Sequence, residues 1–130
     1  MKYSDLKFFV IFFIFLFCSH SIYAVNTIED KVFTIRNISV DISSDTSEQA
    51  RDIALQEAQI KGFNKLMKKM LLKGEYDKIL DFDEDKILQL VEEIEVEDEK
   101  TTANRYIGKI VVKFKRNLVL RFLHHIQCTK

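Results

Sequence analysis

The sequence predicts an α+β domain of order strand, helix, helix, strand, strand, helix, with its long helix packed on a three-stranded, mainly antiparallel sheet. Three observations carry that prediction. Residues 31–42, KVFTIRNISVDI, alternate apolar and polar side chains, the mark of a half-buried strand. Residues 92–115 do the same on either side of a turn near Asn104. Between these stretches, residues 49–71 follow a helical period in which one row is occupied by the small residues Ala50, Ala54, Ala58 and Gly62.

Each element can be justified in chain order. The first 24 residues stand apart from the domain: Lys2 and Lys7 precede an apolar run from Phe8 to Cys18, then come Ser19, His20 and Ser21 and the tripeptide IYA ending at Ala24. This is the layout of a secretory signal peptide cleaved to leave Val25 as the first residue. A second reading stays open, because residues 8–25 are 18 in number and a spanning helix needs roughly 20 mainly apolar residues. The expectation is therefore an exported, periplasmic chain of two parts, 1–24 as signal and 25–130 as a single domain. The alternative is attachment to the inner membrane through residues 8–25. Cys18 is not a lipidation site, since Phe17 stands where a small residue is needed.

In the first strand the apolar set is Phe33 and Ile35, then Ile38, Val40 and Ile42. The phase slips by one residue at Arg36–Asn37, and a one-residue slip in a period of two is most simply a β-bulge. Asp45 or Thr46 can then cap a helix, with Glu48 or Gln49 placed three residues on to reach back.

The long helix sorts into rows of i, i+4 neighbours. Ala50, Ala54, Ala58, Gly62, Leu66 and Met70 form one, and Arg51, Leu55, Gln59, Phe63, Met67 and Leu71 the next. Ten of these twelve residues are apolar or Gly, whereas the two remaining rows contain only Ile53 and Ile60. Two adjacent rows make a stripe that winds about the axis, which suits a twisted sheet as its partner. The bare end at Ala50–Gly62 is predicted to approach the sheet closely, while Phe63, Leu66 and Met70 fill the wider end.

A short second helix is expected over residues 84–91, capped by Asp83, with Ile87, Leu88 and Val91 inward. Two strands follow. Ile94 and Val96 face the helix from the first, Tyr106, Ile110, Val112 and Phe114 from the second, and Gly108 leaves room between them. On the opposite face Glu95, Glu97 and Glu99 are expected to confront Lys109, Lys113 and Lys115, supporting the register rather than forming a site. Helical spacing returns in NLVLRFLHHI, with Leu118, Phe122 and either Leu123 or Ile126 inward.

Three stretches of this chain, VFTIRNISVDIS, ARDIALQEAQIKGFNKL and EVEDEKTTANRYIGKIVVKF, together resemble a family of uncharacterised exported proteobacterial proteins defined only as a domain of unknown function. Ala50–Arg51, Ala54, Ala58, Glu99–Lys100 and Arg105–Tyr106 stand where that family's pattern puts them. More distantly, the strand followed by an alanine-spaced helix is similar to the amino-terminal domain of the flagellar assembly protein T and to small surface lipoproteins. The resemblance implies export and transfers no catalytic role.

Composition narrows the functional classes. Lys and Arg number 20, as do Asp and Glu, so no nucleic-acid partner is suggested. Cys128 would be the one cysteine of a cleaved chain, which excludes a disulfide framework. Asp81, Asp83, Asp85 and Glu92 match positions one, three, five and twelve of a calcium loop. Position six, which needs Gly for its sharp turn, is Lys86, and acidic residues at a helix start also serve capping and the helix dipole. His124, His125 and Cys128 are zinc-ligand types, but no second cluster completes a tetrahedral set. No GxSxG, HExxH or phosphate-cradling loop occurs. No catalytic residue or cofactor is predicted.

The reading is thus an exported, non-enzymatic interaction or structural module of the cell envelope. Its expected partner is another protein or a second copy joined through a sheet edge, with membrane contact only if residues 1–24 are retained. The alternatives are a membrane-anchored accessory factor and a small ligand- or metal-binding domain.

Overall fold

The computed structural model describes residues 31–79 and 82–128; the predicted signal and Ala24 lie outside them. In chain order these residues form β1 (Thr34–Ser43), α1 (Ser47–Met70), α2 (Lys73–Tyr76), a 3-10 turn (Asp77–Ile79), α3 (Glu84–Gln89), β2 (Val91–Thr101), β3 (Arg105–Phe114) and α4 (Arg116–Cys128). The sheet has the order β1-β3-β2 and both pairings are antiparallel. The α+β architecture is therefore the one the sequence predicts.

β1 contains the expected bulge. Ile35 pairs with Val112 and Ile38 with Ile110, which leaves Arg36 and Asn37 opposite Val111. Asn37 has a φ of 57°, in the left-handed region that its short polar side chain tolerates better than most. The slip keeps Ile35, Ile38 and Val40 on one face, each at most 2 % exposed.

α1 begins where the capping pattern puts it, since the Thr46 hydroxyl accepts a hydrogen bond from the Gln49 amide at 3.2 Å. Its buried residues are Ala50, Ala54, Ala58, Gly62, Phe63, Leu66 and Met67, drawn from the two predicted rows. The bare row does bring backbone to sheet: a Cβ at Gly62 would stand 3.1 Å from Ile38 Cδ1 and 3.3 Å from Val112 Cβ. Burial of Phe63, Leu66 and Met67 contributes about 1.5–3 kcal/mol each. At the wide end, Phe63 stands 5.8 Å from both Phe82 and Phe122, ring centre to ring centre, and those two are 4.5 Å apart. This trio ties α1 to α4 and to the segment leading into α3.

Four details differ from the sequence reading. α3 ends at Gln89 rather than 91, because Val91 pairs with Phe114 and starts β2, and Leu90 takes the buried position. α2 and the 3-10 turn precede α3, each too short to show a period. In α4 the buried pair is Val119 and Leu123, with Leu118, Phe122 and Ile126 half-buried beside them. Finally, β2 is bulged between Val91 and Glu93 and again between Val96 and Asp98.

Those bulges overturn the expected charge pairing across β2 and β3. Lys113 reaches Glu92 at 3.7 Å and Lys109 reaches Asp98 at 3.9 Å. The Lys115 ammonium donates to the Gln89 carbonyl at 3.1 Å. Glu97 instead accepts from Arg36 of β1 at 2.9 Å, spanning the central strand on the face away from α1. Val111, on that outer face and opposite the Arg36–Asn37 bulge, is only 3 % exposed.

Candidate functional site

The acidic positions singled out in the sequence are dispersed by the fold. Asp81 lies outside the described residues. Asp83 caps α3, its carboxylate accepting from the Asp85 amide at 3.2 Å, while Glu92 on β2 turns to Lys113. At the carboxyl end, Cys128 Sγ lies 3.7 Å from His124 Nδ1, both exposed and one turn apart on α4. Among the described residues no three His, Cys, Asp or Glu side chains stand close enough to hold a metal ion.

A second cluster forms where α1 crosses the hairpin end of the sheet. Past the Val96/Asp98 bulge the phase of β2 is reversed, so Glu99, opposite Gly108, and Thr101, opposite Tyr106, share the face of α1. Glu99 meets Arg51 of α1 at 3.5 Å. Beneath this half-exposed pair is Tyr106, fully buried, its ring 3.2 Å from the point where a Gly108 Cβ would stand. Its hydroxyl has no hydrogen-bond partner among the described residues. Burial pushes its pKa up, the Glu99 carboxylate adds to the rise, and the Arg51 guanidinium opposes it. Sequence alternation misses this cluster because it assigns Glu99 to the opposite face.

The outer face offers a cleft of about 390 Å³, lined by Ser39, Asp41, Lys61, Asp98, Gly108 and Lys109 among others. Its charged residues other than Lys100 are paired within the fold. Asp41 accepts two hydrogen bonds from Arg105, at 2.8 and 2.7 Å, which hold its carboxyl below the usual range. Lys109 faces Asp98, and Lys61 pairs with Glu57 one turn earlier on α1.

The sheet's two margins differ. On β1, Lys61 donates to the Ser39 carbonyl at 3.4 Å and Lys65 to the Asn37 carbonyl at 3.5 Å. α1 thus lays two lysines along that margin, which with the bulge blunts it against strand pairing. On β2 the outer margin has no strand beside it among the described residues.

The backbone pattern follows from the register. The Ser39 carbonyl points outward, so Val40 and Ile42 direct their groups to Gly108 and Tyr106 of β3. By the same alternation Ile94, Val96, Glu99 and Thr101, opposite the β3 residues that bond to β1, turn their N–H and C=O groups to the open side. Beside this margin Ile94 and Val96 are half-buried, and Glu93 and Glu95 are exposed.

Comparison with known proteins finds no matching family model, no matching curated protein and no matching solved structure.

Proposed function

We propose that this chain is an exported, non-enzymatic interaction module of the cell envelope that recruits a protein partner through an edge of its sheet. The observation that carries the proposal is the open margin of β2, an 11-residue strand with outward-turned backbone groups at Ile94, Val96, Glu99 and Thr101. Strand addition to such a margin gains affinity from main-chain hydrogen bonds and selectivity from alternate side chains.

Export rests on the amino-terminal layout and on the resemblance of the three stretches quoted above to a family of exported proteins. No helix among the described residues is long and apolar enough to cross a membrane. A membrane-anchored form is the second reading, favoured by the 18-residue length of segment 8–25. Intact-mass measurement separates the two: a chain beginning at Val25 is expected, whereas Met1 retained in the membrane fraction would establish the anchor. Crosslinking in the intact envelope tests the role itself. Recovery of a defined protein joined to β2 or β1 supports it, and the absence of any crosslinked partner overturns it.

A further inference from the structure

We infer that the open margin of β2 docks an extended, basic segment of another protein, one in which apolar residues alternate with Lys or Arg. This deepens the proposed edge interaction and rests on it. Three observations select that occupant.

The first is the division of labour between the two edges. Lys61 and Lys65 of α1 already occupy the Ser39 and Asn37 carbonyls on β1, so an incoming strand there must displace them. On β2 the outward groups at Ile94, Val96, Glu99 and Thr101 have no strand beside them among the described residues.

The second is the alternation of surroundings along that margin. Toward α1 an added strand would lie beside Ile94 and Val96, which are half-buried. Ile94 belongs to the shell of partly buried residues around that core. A small apolar side chain placed there extends the core outward. Toward the outer face the same strand would lie beside Glu93 and Glu95, both exposed. Because side chains alternate along a strand, a segment alongside residues 93–96 can meet both surroundings only with an apolar–basic period of two.

The third is charge. Residues 92–99 include Glu92, Glu93, Glu95, Glu97, Asp98 and Glu99. Four of these are engaged inside the domain, by Lys113, Arg36, Lys109 and Arg51. Glu95, opposite Val111, and Glu93, opposite a Lys113 that already reaches Glu92, carry the remaining field of the margin. Acidic side chains at an edge deter an acidic or uncharged strand but attract a basic one, through both encounter rate and register. A second copy of this chain is a poor occupant for the same reason, since antiparallel β2–β2 pairing would bring Glu93 and Glu95 against their own counterparts.

The test uses the full chain and synthetic peptides of about ten residues, the length that matches β2. One alternates Lys and Val, a second alternates Glu and Val, and a third is the Lys–Val peptide N-methylated along one edge. Binding is read by titration, and its place by amide hydrogen exchange. The Lys–Val peptide is expected to bind and to slow exchange at Ile94, Val96, Glu99 and Thr101. The Glu–Val peptide is expected to bind at least about tenfold more weakly, and neutralising the margin as Glu93→Gln with Glu95→Gln should weaken the Lys–Val peptide about tenfold. The N-methylated peptide should lose slowed exchange altogether, because its backbone cannot complete the ladder.

Slowed exchange at Ser39, Asp41 and Ser43 instead would overturn the assignment to β2 while leaving an edge interaction in place. Equal binding by the N-methylated peptide would overturn strand addition, and no binding at millimolar Lys–Val peptide would overturn the inference outright. A partner crosslinked in the envelope through β1 would separate failure of this inference from failure of the interaction role.

Discussion

Tyr106 joins full burial to a hydroxyl without a hydrogen-bond partner among the described residues. A buried hydroxyl in that condition costs about 1–3 kcal/mol of lost hydration. Its ring nevertheless earns its place by covering Gly108, where a side chain would be too close. Tyr106→Phe keeps the ring and removes the stranded group. The variant is expected to be more stable by about 0.5–1.5 kcal/mol, read as a higher urea midpoint at unchanged slope. A lower midpoint would mean that the hydroxyl takes a partner in solution, Glu99 or a trapped water. The pH dependence has a definite sign. Burial raises the folded-state pKa of Tyr106, so its contribution is complete below the ordinary tyrosine value near 10 and is lost as pH rises through the folded value. Removing the hydroxyl should therefore flatten the alkaline limb of the stability curve.

At the scale of the element, how much could be read in advance depended on whether apolar residues mark the phase. Along α1 they do, and the buried residues Ala50, Ala54, Ala58, Gly62, Phe63, Leu66 and Met67 were legible from the two rows that contain them. Along β1, Ile35 and Ile38 stand on either side of the slip, so the bulge at Arg36–Asn37 was legible too. Past Val96, β2 continues as Glu97, Asp98, Glu99, Lys100 and Thr101, with no apolar residue to mark a face, and its second bulge leaves no trace in the pattern. The Arg51–Glu99–Tyr106 cluster was hidden for that reason alone. The α1 rows support a quantitative prediction. Ala58 is fully buried against the sheet, so Ala58→Leu should overpack that contact and cost roughly 1–3 kcal/mol. Gln56 lies on an exposed row, and Gln56→Leu should stay within about 0.5 kcal/mol. Chemical denaturation of the two variants side by side decides it, and equal midpoints would refute the row assignment.

At the scale of the whole molecule, charge is balanced in sum and uneven in place. The 20 acidic and 20 basic residues cancel, yet no Asp or Glu occurs after Glu99, while six fall within residues 92–99. The hairpin of β2 and β3 therefore sets an acidic strand against a basic one, and the acidic strand is the one at the margin. This layout supports the hairpin through Lys109–Asp98 and Lys113–Glu92, and it also discourages copies of the chain from joining edge to edge. If repulsion between like margins keeps copies of the chain from pairing along β2, reversing the charge of one margin should create a partner for the unaltered one. A chain carrying Glu93→Lys with Glu95→Lys is expected to remain monomeric alone, at a cost of about 0.2–1 kcal/mol because position 93 then faces Lys113. Mixed with the unaltered chain, it should form a heterodimer through antiparallel β2–β2 pairing, with lysines of one copy opposite glutamates of the other. Sedimentation of the separate and mixed samples reads the outcome, and raising the salt should dissolve the heterodimer as the exposed charges are screened. A mixture that sediments as monomer at every ratio would show that charge is not what holds this edge apart, and the bulges of β2 would then be its guard.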